Sequence, residues 1–299
     1  MREDIEFRAE DGVVLRGWHY APEGVEGAAP LVVMAHGFSA TKEMHLDDFA
    51  EYFARGGLGV LVYDNRNLGD SEGEPRGELD PWQQIRDYRT AITWAGTQYW
   101  ADPARIGVWG SSYSGAHVLV VAALDRRVKA VVSQVPLVSG LANARRLIRA
   151  DAFATLRETF DDDRAARYAG EKPAMIQVVW ENDPTEPCAL PTGDSHDFFL
   201  GPILERAKTW RNEVTLRSVE MFTEYEPGAY IANIAPTPLL MVVACHDHLT
   251  VADLTLEYFE RARQPKKLVA LRCGHFDAYV GDAFAESAPQ QLEWFQKYL

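Results

Sequence analysis

The sequence predicts an α/β fold, a mostly parallel central sheet flanked by helices with a mainly helical segment inserted into it. Three observations carry this. Short apolar runs alternate with helix-period stretches in the first 136 residues and again in the last part of the chain. Strands that alternate with helices imply crossovers, and crossovers imply parallel pairing. The alternation breaks at about Leu137 and returns after Pro236, which is the signature of an insertion into one domain.

Residues 5–9 and 13–20 read as strands joined by the turn pair Asp11-Gly12. Leu31-Val-Val-Met-Ala35 lies between Pro30 and His36-Gly37 and reads as a buried parallel strand. A helix is predicted over 43–55, with Thr41 as its cap and Leu46, Phe49, Ala50 and Phe53 on one face. Then come a strand over 58–63, a helix over 80–95 with Pro81 in its first turn, and a strand over 105–109. The helix over 113–124 is apolar nearly all round, hence buried, and the strand over 128–135 follows it. Inside the insertion, 141–160 and 198–211 look helical, 161–163 is a run of Asp, and 181–193 is rich in Pro and acid. Strand 238–244, helix 251–263, strand 267–272 and helix 283–299 complete the pattern. The division is a core of residues 1–136 and 237–299 with a cap of 137–236.

At 299 residues the chain could be one large domain or two, and a single core can remove roughly 75% of the unfolded surface from water. A hydrophobic fraction of 47% with 25% charged residues excludes a disordered or fibrous chain. The balance of 30 basic against 44 acidic residues gives a net charge of -14. That surface repels phosphate backbones and anionic lipid, so neither nucleic acid nor membrane is an expected partner. The start, Met1-Arg-Glu-Asp-Ile-Glu-Phe, lacks the basic-then-apolar pattern of a secretory signal. No apolar run approaches the roughly 18 residues of a membrane span. Cys188, Cys245 and Cys273, odd in number and far apart, fit reduced thiols in a cytoplasmic protein better than a disulfide framework. A homodimer stays open.

The most informative stretch is Ile106-Gly-Val-Trp-Gly-Ser-Ser-Tyr-Ser-Gly-Ala116, where a strand ends, a turn holds a serine and a buried helix begins. A sharp turn of this kind lifts a nucleophile clear of the sheet, and its crowding demands small residues two before and two after. Ser112 meets that demand with Gly110 and Ser114, although glycine is usual where Ser114 stands. Ser111 is a rival without small residues at both flanking positions. The helix that begins at Tyr113 points its positive end at a developing oxyanion.

A serine hydroxyl needs a base, and the base needs an orienting carboxylate. On such a sheet the order is Ser, acid, His, each just past a strand end. Asp247 and His275 occupy those places, with Asp253 and Asp277 as rival acids. The candidate catalytic residues are therefore Ser112, Asp247 and His275. The loop His36-Gly37-Phe38-Ser39 should supply one oxyanion donor, so Phe38 N–H and Tyr113 N–H form the expected pair. His36 is expected to brace that loop, and Asp64 and Arg66 to tie neighbouring loops together. The other histidines (His19, His45, His117, His196, His246 and His248) read as structural.

His36-Gly37-Phe38, Gly110-x-Ser112-Tyr113-x-Gly115, Asp247 and His275, in this order, resemble the α/β-hydrolase fold over nearly the whole chain except the insertion. The elbow G-x-S-Y-x-G is similar to that of the X-Pro dipeptidyl-peptidase and cocaine-esterase family, whose peptidase members carry an additional β-rich C-terminal domain. This chain ends one helix beyond His275. Asp102-Pro-Ala-Arg-Ile-Gly-Val-Trp-Gly110 resembles dienelactone-hydrolase-like proteins, although dienelactone hydrolase itself has a cysteine nucleophile. The stretches 63–76, 236–247 and 266–279 resemble small esterases, thiohydrolases and polyketide transferases more closely. That resemblance implies acyl transfer from an ester or thioester.

The expected function is a serine hydrolase that cleaves a carboxylic ester, lactone or thioester of a small molecule, with no cofactor and no metal. An acyltransferase with the same triad is the first alternative. A non-catalytic binding module is disfavoured by the intact triad. A metal hydrolase built on His246, Asp247, His248, His275 and Asp277 lacks a recognised ligand spacing. An Asp-nucleophile enzyme is disfavoured by serine at the elbow. The aromatics of the insertion (Phe153, Phe160, Trp180, Phe198, Phe199, Trp210, Phe222, Tyr225 and Tyr230) could line an acyl pocket or build the cap's own core.

Overall fold

The computed structural model describes residues 2–299. Its strands are β1 (Arg2–Arg8), β2 (Val14–Tyr20), β3 (Ala29–Ala35), β4 (Gly59–Tyr63), β5 (Ala101–Ser111), β6 (Val128–Gln134), the two-residue β7 (Met175–Ile176) and β8 (Val214–Thr215), β9 (Leu239–Ala244) and β10 (Lys266–Leu271). Eight of these make one sheet in the order β1-β2-β4-β3-β5-β6-β9-β10. β1 and β2 pair antiparallel, β2 meets β4 antiparallel, and every other neighbour is parallel. The fold is the α/β-hydrolase fold expected from the sequence.

Helices α1 (Leu46–Arg55) and α9 (Gly281–Tyr298) cover one face of the sheet, where Phe49, Phe53, Trp109, Val132 and Phe295 interlock. Helices α2 (Pro81–Ala95), α3 (Tyr113–Leu124) and α8 (Ala252–Arg261) cover the other. α2 opens as the sequence demands: Asp80 accepts from the Trp82 and Gln83 N–H groups, and Pro81 stands in the first turn. α3 is buried along eleven of its residues, from Tyr113 to Ala123, because it packs between the sheet and the segment that follows β6. An all-apolar helix needs such a two-sided burial.

Three local expectations are corrected. α1 starts at Leu46 rather than 43, because His45 takes a left-handed conformation (φ 65°) and Thr41 does not cap it. A turn closed by the Met44 N–H on the Thr41 carbonyl occupies the expected first turn. The single helix read over 141–160 is two, α4 (Gly140–Leu147) and α5 (Ala152–Tyr168), broken where Ile148 turns extended. The helix read over 198–211 is α6 (Gly193–Phe199) followed by one tight turn, Pro202–Glu205, since Gly201 and Pro202 end it. α7 (Leu216–Glu224), not foreseen, is capped by Thr215, which accepts from the Ser218 N–H. Among the described residues no helix is long and apolar enough to cross a membrane.

Candidate active site

β5 and α3 meet at Ser112, whose backbone lies at φ 56° and ψ −112°. Positive φ at a non-glycine residue costs free energy and persists only where neighbours enforce it. The enforcement is visible. A Cβ on Gly110 would lie 2.1 Å from the Ser114 carbonyl oxygen, and one on Gly115 would lie 2.8 Å from the Gln134 carbonyl oxygen. The Ser112 N–H donates to that same Gln134 oxygen at 2.8 Å. Ser114, where glycine is usual, fits as a fully buried residue whose hydroxyl has no hydrogen-bond partner.

The Ser112 hydroxyl lies 3.1 Å from His275 Nε2, and His275 Nδ1 lies 2.7 Å from Asp247 Oδ2. A carboxylate only accepts, so Nδ1 carries the proton and Nε2 is free to take one from Ser112. Asp247 Oδ1 accepts from the Leu249 and Thr250 N–H groups, both at 2.8 Å. All three side chains are buried, with Ser112 at 8% exposure. Ser111 points into the protein and shares a hydrogen bond with the Tyr279 hydroxyl. Of the rival acids, Asp253 is exposed and paired with Arg146, and Asp277 is exposed and accepts from the Gly274 N–H. His246 and His248 are exposed while Asp247 between them faces inward, so that run does not converge with His275.

The loop after β3 lies against the nucleophile. A Cβ on Gly37 would stand 2.9 Å from Ser112 Cβ, so only glycine allows the approach. Among the described residues neither the Phe38 N–H nor the Tyr113 N–H donates to a protein acceptor. His36 is fully buried. Its Nε2 accepts from the Asn65 N–H at 3.0 Å, so Nδ1 carries the proton and donates to the Gly37 carbonyl at 3.0 Å. Burial pushes its pKa down, so the ring is neutral and braces the loop. Asp64 and Arg66 both tie loops together, through different partners. Arg66 grips Asp87 with two hydrogen bonds, 2.6 and 2.7 Å, and reaches Asp11. Asp64 holds Lys42.

Lys42 escaped the sequence reading. It is 2% exposed, and its ammonium touches Asp64 at 2.7 Å, Asp70 at 2.6 Å and Glu43 at 2.9 Å. Those three acids form the one grouping among the described residues that is close enough to ligate a cation, and the ammonium occupies its centre. Burial alone would lower the lysine pKa, but the carboxylates outweigh it and hold it above its ordinary value. Thr250 was also missed. It lies three residues beyond Asp247, with its hydroxyl 2.9 Å from Asp247 Oδ2. Only the nearness of a threonine to the expected acid could have signalled it.

A narrow pocket opens over Ser112, lined by Met44, Leu46, Leu190, Phe198, Phe199, Phe222, Phe276 and Tyr279 among others. Among the described residues no Lys, Arg, Asp or Glu lines it. Of the nine aromatics expected to line a pocket or fill the cap, Phe198, Phe199 and Phe222 reach this pocket. Phe160, Trp210 and Tyr225 are buried elsewhere, Trp180 stacks on His196, Tyr230 packs on Trp82, and Phe153 faces a groove beside α5.

The chain is 32% identical over 302 residues to the thiohydrolase aneE of Aspergillus aculeatus, with 99% of this chain and 93% of that protein covered. It is likewise 32% identical over 303 residues to the polyketide transferase ATR5 of Stachybotrys chlorohalonatus, with 100% and 98% covered. The crystal structure of the α/β hydrolase GrgF from Penicillium sp. sh18 superposes with a TM-score of 0.84 at 30% identity, covering 100% of this chain and 99% of that one. The sequence model of the X-Pro dipeptidyl-peptidase (S15) family matches residues 11–277, and the chain therefore belongs to that family of α/β-hydrolase-fold serine hydrolases.

Proposed function

We propose that the protein cleaves a carboxylic ester, lactone or thioester through an acyl-enzyme on Ser112. The observation that carries this is the continuous hydrogen-bonded line from Ser112 Oγ through His275 to Asp247. His275 Nε2 takes the Ser112 proton as Oγ attacks the substrate carbonyl. Asp247 holds the Nδ1–H tautomer and stabilises the imidazolium. The tetrahedral oxyanion is received by the Phe38 and Tyr113 N–H groups, both without protein acceptors, where one such donor is worth about 2.7–4 kcal/mol. His275 then returns its proton to the leaving oxygen or sulfur as the carbonyl re-forms. In the second half-reaction it takes a proton from water as the water oxygen attacks the acyl carbonyl, and gives it to Ser112 Oγ as the acyl–Oγ bond breaks and the acid leaves.

The segment of residues 137–236 acts as a cap that supplies one wall of the acyl pocket through Leu190, Phe198, Phe199 and Phe222. Its apolar lining favours an uncharged acyl group, because a buried charge without a partner is costly. A second reading, transfer of the acyl group to an alcohol, is supported by the relative named as a polyketide transferase and by the small exposure of Ser112. The same triad would serve, with the alcohol in place of water.

The test is labelling with a fluorophosphonate, followed by turnover of chromogenic esters and thioesters graded by acyl length. Labelling at Ser112, lost in Ser112→Ala, is expected. An unlabelled wild-type enzyme, or a Ser112→Ala variant that still turns over esters, overturns the reading. Product analysis with and without an added alcohol separates hydrolysis from transfer.

A further inference from the structure

We infer that Thr250 is a positioning residue for the triad, its hydroxyl proton donated to Asp247 Oδ2 so that this oxygen stays aligned with His275 Nδ1. The inference rests on the serine-hydrolase reading above.

Thr250 is a buried residue, and its hydroxyl has three polar neighbours. Asp247 Oδ2 and the Val135 carbonyl oxygen each lie 2.9 Å away, and His275 Nδ1 lies 3.2 Å away. The hydroxyl has one proton for two acceptors. The ionised carboxylate is the stronger acceptor, and a hydrogen bond to a charged group is roughly twice as strong as one between neutral groups. The proton therefore points at Asp247, and the oxygen's lone pairs face the Nδ1–H side.

This completes the carboxylate. Oδ1 is held by two backbone N–H groups, and Oδ2 by the imidazole and the threonine hydroxyl. Neither oxygen can swing without losing a partner. Thr250 itself is fixed, since its own N–H is one of the two donors to Oδ1. Its side chain also abuts the end of β6, where Val135 sits at φ 38°, a strained value for a β-branched residue. The residue before it, Gln134, accepts the Ser112 N–H. One hydroxyl thus stands between the acid turn and the strand end that supports the nucleophile.

Thr250→Val keeps the shape and removes the hydroxyl, and Thr250→Ser restores it. The rate of fluorophosphonate labelling at Ser112, the KM and kcat for a chromogenic ester, and the low-field Nδ1–H proton resonance of His275 in the phosphonylated enzyme are measured for wild type and both variants. The expected result for Thr250→Val is labelling and kcat about tenfold slower, the scale of one hydrogen bond to a charged group, with KM within twofold. Its resonance should move downfield as Oδ2, left with one donor fewer, draws the imidazole proton closer. Thr250→Ser should recover both rate and resonance. Thr250→Val that labels at the wild-type rate with an unmoved resonance overturns the inference while leaving the serine-hydrolase reading intact. A loss in Thr250→Val that Thr250→Ser does not recover also overturns it. An unlabelled wild type overturns both.

Discussion

The elbow at Ser112 and the segment between β6 and β9 are built by different rules. At the elbow the fit is at the backbone: an extra carbon on Gly110 or Gly115 would collide with a carbonyl oxygen, and one on Gly37 with the Ser112 Cβ. The segment has such close approaches too, where Gly140 passes the Phe222 carbonyl, but its longest helix, α5, buries only Phe160 and Asp163 along seventeen residues. The first arrangement tolerates almost no substitution and fixes atoms for chemistry. The second tolerates many and shapes what the chemistry receives.

The largest effect expected from this contrast is kinetic. His275→Ala should lower kcat/KM by about 10⁴-fold or more, whereas Phe198→Ala should alter KM by no more than about tenfold and leave Ser112 labelling in place. Loss of labelling in Phe198→Ala would erase the distinction between the two regions. Next in size are the ion pairs. Asp87→Ala takes the buried carboxylate from the Arg66 guanidinium, leaving it only the exposed Asp11 and Gln83, and should cost about 3 kcal/mol in urea unfolding. Arg149→Met, on the exposed pair with Asp151, should cost about 0–1 kcal/mol. Equal losses would show that the segment is as tightly built as the core.

Glycine substitution sharpens the same line. Gly110→Ala forces its new carbon against the Ser114 carbonyl and should cost about 3 kcal/mol together with most activity. Gly170→Ala, at φ +92° with nothing within 4 Å, should cost about 1–2 kcal/mol and leave activity unchanged. The pH dependence of stability offers a further test. Burial drives His117 down to about 3, with no site for a charged ring between Gln84 and Tyr225. The unfolded chain accepts a proton near pH 6.5 that the folded chain refuses, so the stability present above pH 6.5 falls as pH drops toward about 3. The slope is up to about 1.4 kcal/mol per pH unit for one histidine. His117→Gln should flatten it by that amount in urea titrations at pH 7, 6 and 5, and an unchanged slope would remove His117 from the account.

What could be read from the sequence follows the same division. Ser112 was legible because a tight strand-to-helix turn imposes residue types at fixed offsets, and Asp247 and His275 because strand ends order them along the chain. α3 was legible to the residue, since Tyr113 follows the turn and Asp125 ends the apolar run 118–124. The start of α1 was not, because His45 adopts its left-handed conformation among contacts with Asp48 and Arg206, and Arg206 lies far along the chain. The break between α4 and α5 has no Gly or Pro to announce it. Lys42 was not legible because Asp64 and Asp70 lie far from it in sequence and only the folded loops bring them to its ammonium. Thr250 reads as any polar loop residue until β6 and β9 are side by side.

The sheet order has a consequence for synthesis on the ribosome. β6 takes β5 on one side and β9 on the other, yet β9 is made only after the whole intervening segment. At about 5–20 residues per second, a nascent chain therefore carries an open, apolar strand edge for several seconds before its closing partner emerges. An unpaired edge invites pairing with other chains, so the moment of greatest danger for this molecule falls between the birth of its nucleophile and the arrival of its acid.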